Sequence, residues 1–262
     1  MPAGRQRAFA ALYYTARGLE SAAAGLYHAA AGLMTHADLR AAITEEWRRF
    51  GSTTEASDFS LFEWEKALYE RVVERTDKIL LIGCGTGRDL IALLQRGHRV
   101  DGVDLVPEAV VRARQRLAEH QLEASVRAGD IETIELVERY DVFVFSWFCY
   151  AYIPESARRV GILKRLAEHL APEGRILISY VPTDKARRAI RVTRLVARLT
   201  RSDWRPEPGD SVAATGDSMS SVSYQHFFRA GEAEAEAEAA GLRVLAQVPH
   251  DQLITMALAK KS

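Results

Sequence analysis

The chain predicts an α/β fold: a seven-stranded, mostly parallel sheet with an antiparallel last strand, preceded by a helical N-terminal cap. Three observations carry that expectation. From residue 78 onward, short apolar runs alternate with helix-patterned runs, the mark of parallel strands joined by crossover helices. The segment Ile79–Asp89, ILLIGCGTGRD, reads as a short buried strand that turns through Gly83, Gly85 and Gly87 into a helix. Residues 8–75, by contrast, look helical apart from a polar loop.

The N-terminal segment contains a short repeat, GLESAAA at 18–24, GLYHAAA at 25–31 and GLM at 32–34. Gly18, Gly25 and Gly32 recur every seven residues with Leu19, Leu26 and Leu33 beside them. On a helix, Gly18, Ala22, Gly25, Ala29 and Gly32 form one stripe of small residues that lets another backbone approach closely. Interior glycines each cost about 1 kcal/mol, so a broken or mobile helix is the competing expectation. A second helix is placed at 35–50, a polar loop at 51–58 and a third helix at 60–76. Strands follow at 78–82, 99–103, 124–128, 141–146, 175–181, 242–248 and 252–259, with helices at 87–96, 107–120, 155–170, 185–200 and 231–240.

Residues 183–223 depart from a minimal α/β unit. Arg187, Arg191, Arg194, Arg198 and Arg201 share one helix face, and a polar loop with Pro206, Pro208, Gly209 and Gly216 follows. The segment is read either as a lid over a site or as a solvated helix face. The acidic alternation Glu232, Glu234, Glu236, Glu238 is expected to be a solvated helix surface.

Hydrophobic residues make up 48% of the 262, enough for a full core, and Lys+Arg and Asp+Glu are both 35, giving no net charge. That balance argues against a protein built mainly to grip nucleic acid, although a local basic patch stays open. Arg17 and Glu20 break the only N-terminal run that resembles a leader, so a cytoplasmic protein with no membrane span is expected. Cys84 and Cys149 fit no metal spacing and read as reduced small residues.

The glycine turn sets the ligand question. A dinucleotide-binding turn, G-x-G-x-x-G, needs glycine at position 88, where Arg88 stands. Asp104 ends the second strand of the α/β region, 21 positions after Gly83, where a carboxylate can accept hydrogen bonds from ribose hydroxyls. NAD-binding folds use the same device. Asp130, in AGDIETI, follows the third strand, and Ser146 and Trp147, in YDVFVFSWFCYAYIP, end the fourth, where ligands bind in open α/β sheets.

Together Gly83-x-Gly85-x-Gly87, VDGVDLVPEAV, AGDIETI and SYQHFFRAGEAEAEAEAAGLRVL resemble the class I S-adenosylmethionine (SAM)-dependent methyltransferases of small-molecule type. The resemblance covers roughly residues 78–260, and the first three motifs carry its specificity. It implies a Rossmann-like methyltransferase domain over 76–262, a helical cap or lid over 1–75, and 183–223 as a substrate-side insertion. SAM is the implied cofactor. Gly83, Cys84, Gly85 and Gly87 would lie beneath its amino acid and ribose, Asp104 and Leu105 at the ribose, Asp130 at the adenine amino group and Ile131 against the ring. Ser146 and Trp147 would stand near its amino acid end, with Trp147, Phe148, Tyr150 and Tyr152 walling the acceptor pocket.

The implied reaction is methyl transfer to a small-molecule oxygen or nitrogen acceptor, with no metal. Its first demand is orientation; a general base helps a hydroxyl acceptor. His226, Tyr150 and Tyr152 are the candidate catalytic groups, with His28 beside them; a structural role for His226 is the competing expectation. Tyr13, Tyr14, Tyr27 and Trp47 are the cap aromatics that could meet ligand. Four alternatives stay open: an RNA methyltransferase using the arginine face, an NAD(P)-dependent Rossmann oxidoreductase, a non-catalytic SAM-binding module, and, for assembly, a homodimer against a monomer.

Overall fold

The computed structural model describes residues 3–53, 59–184, 189–214 and 222–261. Arg187 and Gly216 lie outside the described residues, as do positions 54–58 of the expected polar loop. The N-terminal helices are α1 (Ala3–Ala31), α2 (His36–Thr53) and α3 (Glu63–Val72). The alternating region gives β1 (Lys78–Ile82), α4 (Arg88–Gln95), β2 (Arg99–Asp104), α5 (Pro107–Glu119), β3 (Val126–Ala128) and β4 (Tyr140–Phe145). It continues with α6 (Ser156–Glu168), β5 (Leu170–Tyr180), α7 (Ala189–Leu199), a ribbon of β6 (Asp210–Ala214) and β7 (Val222–His226), then α8 (Glu232–Ala239), β8 (Leu242–Pro249) and β9 (Ile254–Lys260).

Seven strands form one sheet in the order β3-β2-β1-β4-β5-β9-β8. Neighbours from β3 to β5 pair in parallel, and β9 runs antiparallel to both β5 and β8. The expected mostly parallel sheet with an antiparallel last strand is therefore present. Successive strand side chains point to opposite faces, so β1 serves two cores at once. Ile79 and Leu81 pack in a cluster with Leu90, Ile91 and Val110, whereas Leu80 and Ile82 pack with Ile162, Leu166 and Ala237. Sheet order reverses between β1 and β4, and this opens a crevice at the carboxyl ends of the strands.

Two boundaries differ from the sequence expectation for a visible reason. Leu170, expected in a helix, pairs with Tyr140, so β5 begins there and α6 stops at Glu168. The β6–β7 ribbon was expected as loop; its strands are short and polar, and it is held by Tyr224, which packs with Trp204, Leu39 and Ile43. The small-residue stripe on α1 is used at one end only. A Cβ at Gly18 or Gly25 would meet nothing within 4 Å, while at Gly32 it would come 2.6 Å from Thr193 O and 2.7 Å from Val196 Cβ on α7. The helix nevertheless runs unbroken through Gly18 and Gly25. Among the described residues, no helix is long and apolar enough to cross a membrane.

Candidate active site

Loops leaving β1, β2, β3 and β4 converge on a cavity of about 410 Å³, roofed by α2. The turn after β1 comes first. Gly83, Gly85 and Gly87 hold φ of +74°, +53° and +96°, the left-handed region that glycine enters without steric cost. At Gly83 the need is double, because a Cβ there would overlap Cys149 Sγ. Cys84 is buried against Gly102, and burial pushes its thiol well above the usual range.

Asp104 ties that turn to β2. Its Oδ2 accepts from Gly85 N at 2.7 Å and its Oδ1 from Val106 N at 2.8 Å. Burial raises its pKa, and the two backbone N–H donors oppose that rise. A carboxylate has about four acceptor positions, so two remain for a ligand in the cavity that Asp104 and Leu105 line. The third loop brings Asp130 and Ile131 to the same cavity. Asp130 Oδ1 accepts from Glu132 N at 2.8 Å, and its Oδ2 accepts from the Arg40 guanidinium of α2. Arg40 also donates to Glu132 Oε1 at 3.2 Å, so the roof is clasped to the loop by two carboxylates.

Ser146 ends β4 and donates through Oγ to Asp89 Oδ2, at the first turn of α4. Asp89 is buried, which pushes its carboxyl up to about 6; Arg88 opposes the rise and Glu65 adds to it. Arg88, the residue that breaks the dinucleotide spacing, pairs in a fork with Glu65 at 2.7 and 2.9 Å and lies 4.2 Å over the Phe62 ring. Trp147 then turns back at φ +51°, an uncommon conformation for a bulky residue. Its carbonyl accepts from Ser179 Oγ, and its ring meets Phe62 edge-on at 5.0 Å. Tyr152 and Trp47 close the far wall, 4.8 Å apart.

The structure thus brings Gly83, Cys84, Gly85, Asp104, Leu105, Asp130, Ile131, Ser146, Trp147 and Tyr152 to one cavity. Gly87 lies outside that lining as the N-cap of α4, where a Cβ would come 3.5 Å from Ala113 Cβ. Tyr150 and His226 are not among the residues lining that cavity. The Tyr150 hydroxyl is buried and donates to Glu236 at 2.6 Å. His226 is buried in the ribbon, with Nδ1 2.7 Å from Asp210 Oδ1 and Nε2 3.4 Å from Glu232 Oε1. Burial opposes a charge on His226, but the Asp210 and Glu232 contacts outweigh it and raise the imidazole pKa. Glu236, expected on a solvated surface, is buried because Arg159 and Tyr150 both bind it. Of the cap aromatics, Trp47 lines the cavity, whereas Tyr13, Tyr14 and Tyr27 are exposed on α1. Arg40, Phe62 and Asp89 were missed from sequence. An acidic residue opening the helix after the glycine turn was the available sign for Asp89; Arg40 lies 90 positions from Asp130 and carried none.

Comparison with known proteins follows the same lines. A family model described as a methyltransferase domain matches residues 79–174. A dTDP-3-amino-3,4,6-trideoxy-alpha-D-glucopyranose N,N-dimethyltransferase of Streptomyces venezuelae is 26% identical over 182 residues, covering 63% of this chain and 75% of that protein. The next two curated relatives are spanned over less than half their length. The CcbJ methyltransferase from Streptomyces caelestis superposes with a TM-score of 0.62 at 14% identity, covering 84% of this chain and 99% of that one. The glycopeptide N-methyltransferase MtfA, complexed with SAM, gives 0.57 at 18% identity, covering 80% and 99%. These two likenesses bear on the fold.

Proposed function

The chain belongs to the class I SAM-dependent methyltransferases, and from that premise we propose that it transfers a methyl group to an oxygen or nitrogen of a small molecule. The observation that supports this most is Asp104, a carboxylate at the cavity wall with acceptor capacity left over beside the open turn at Gly85. When bound, SAM supplies a methyl group on a sulfonium sulfur. Asp104 would hold its ribose hydroxyls, Asp130 and Ile131 its adenine, and Gly83, Gly85 and Ser146 the surroundings of its amino acid end.

The acceptor side is built from aromatic walls, Trp47, Phe62, Trp147 and Tyr152, beneath α2. Such walls exclude water and orient a compact acceptor, which is the main requirement of an in-line displacement. Tyr152 is the hydroxyl candidate at that wall. Its pKa is raised by burial, so it serves as a hydrogen-bond donor or orienting group and not as a base near neutrality. His226 and Tyr150 act from behind the site by holding the ribbon and α8. The protein works in the cytoplasm, without membrane or nucleic acid, as a homodimer.

Calorimetric titration tests the donor half: SAM and S-adenosylhomocysteine bind, NAD(P) does not, and Asp104→Ala weakens SAM at least tenfold with an unchanged circular dichroism spectrum. Binding of NAD(P) alone would overturn it. The acceptor half is tested by S-adenosylhomocysteine release with a panel of amino sugars, amines and phenols. Donor binding with no turnover on any of them would favour a non-catalytic module, and salt-sensitive RNA binding lost on Arg191→Glu/Arg194→Glu would favour RNA.

A further inference from the structure

α1 is 29 residues long, about 43 Å at 1.5 Å per residue, and touches the body of the protein chiefly at its C-terminal end through α7. The rest stands in solvent with an apolar surface. Leu12, Leu19, Leu26 and Leu33 recur every seven residues and are 61–73% exposed. Phe9, Ala16, Ala23 and Ala30 recur at the same interval, three places earlier in each heptad, and are exposed as well. Within α1, which ends at Ala31, two apolar positions repeating every seven residues over three heptads define a seam that drifts off a straight helix unless a second helix follows it. A lone helix with glycines at 18 and 25 is poorly stabilised by its own propensity, so packing along this seam is what would hold it straight.

We propose that this seam is the dimer interface: α1 packs antiparallel against α1 of a second copy. It rests on the homodimer reading above and is independent of the acceptor. Charge selects the orientation. Arg17 and Glu20 flank the seam on the same side. In an antiparallel pair, Phe9 stacks over Leu26 of the partner subunit, Ala16 over the partner's Leu19 and Ala23 over the partner's Leu12, so large meets small in the central layers. Arg17 and Glu20 pair with each other at 3.5 Å within the exposed helix; that register lets the two symmetry-related pairs exchange partners, and sets Arg5 at the negative end of the partner helix. A parallel pair would instead bring Arg5 and Arg7 of both copies together and set Glu20 against Thr15 and Ala22, which carry no charge. Six seam residues per copy meet in this register, Phe9, Leu12, Ala16, Leu19, Ala23 and Leu26, with Tyr13 and Tyr27 beside them.

Light scattering on the full chain tests this. The wild type is expected at dimer mass, and Leu19→Glu/Leu26→Glu at monomer mass, with its SAM titration unchanged. Arg17→Glu or Glu20→Arg alone should weaken the dimer severalfold, and the two together should restore it. A mixture of Phe9→Cys and Leu26→Cys proteins should give mixed disulfide dimers, and Phe9→Cys alone none. A monomeric wild type, including one that binds anionic vesicles instead, overturns the proposal and the homodimer with it. A dimer that survives Leu19→Glu/Leu26→Glu overturns the α1 interface alone, and self-linking of Phe9→Cys overturns the antiparallel order.

Discussion

At Gly83 the backbone stands at φ +74° with Cys149 Sγ where a side chain would begin. Gly83→Ala therefore meets both backbone strain and overlap. We expect it to lose about 1–3 kcal/mol of stability in urea unfolding and to weaken SAM, since the same turn floors the cavity. Asp89 gives a prediction of opposite character. A carboxyl whose pKa is raised by burial favours the folded state when protonated. Stability is thus fullest below the ordinary carboxyl pKa of about 4 and falls as pH rises through about 6, where the buried carboxyl is half ionised. Asp89→Asn keeps an acceptor for Ser146 Oγ and should abolish that decline, read as unfolding midpoints against pH. Sequence had shown the glycines, Asp104 and Asp130, because each sits at a strand end in a short recognisable segment. It had not shown that Asp89 would be sealed beneath them, since burial of a charge depends on Ser146, 57 positions away.

Individual elements are held by polar clasps as much as by the apolar clusters. Arg159 of α6 is fully buried and forks onto Glu236 of α8, reaches Glu207 at 3.1 Å and lies 5.2 Å from the Phe228 ring. Removing one member of such a buried pair strands the other's charge. Glu236→Ala should cost about 3 kcal/mol in urea unfolding, and it also deprives the Tyr150 hydroxyl of its acceptor. A milder loss, with methyl-transfer rate unchanged, would mean the clasp is solvated. The strands were legible because apolar runs such as Ile79–Ile82 and Val142–Phe145 admit few other readings. The ribbon was not, because Asp210–Ala214 and Val222–His226 are polar and take their order from Trp204, Leu39 and Ile43 brought from elsewhere in the chain. Glu236 misled for the same reason: an alternating acidic run says nothing of a buried arginine 77 positions earlier.

The whole molecule is divided between a rigid sheet that carries the donor residues and a helical roof that is fastened to it by Arg40. Because that pairing with Asp130 and Glu132 is partly solvent-exposed, its strength is modest. Arg40→Ala should leave thermal stability nearly unchanged while speeding release of S-adenosylhomocysteine severalfold in stopped-flow displacement, as expected of a roof that opens for turnover. No change in release would mean that α2 stays closed without the clasp. The roof was the least legible part of the chain, since α2 meets the sheet through residues about 90 positions distant. The aromatic walls beneath it have an optical consequence. Of the four tryptophans, Trp47 and Trp147 line the cavity and Trp64 stacks on Phe62 at its edge, while Trp204 is sealed in the small cluster under the ribbon. Intrinsic emission is therefore weighted toward the site, and the blue or red displacement of its maximum on titration reports occupancy without any dye, with Trp147, 37% exposed in the free protein, supplying most of the change.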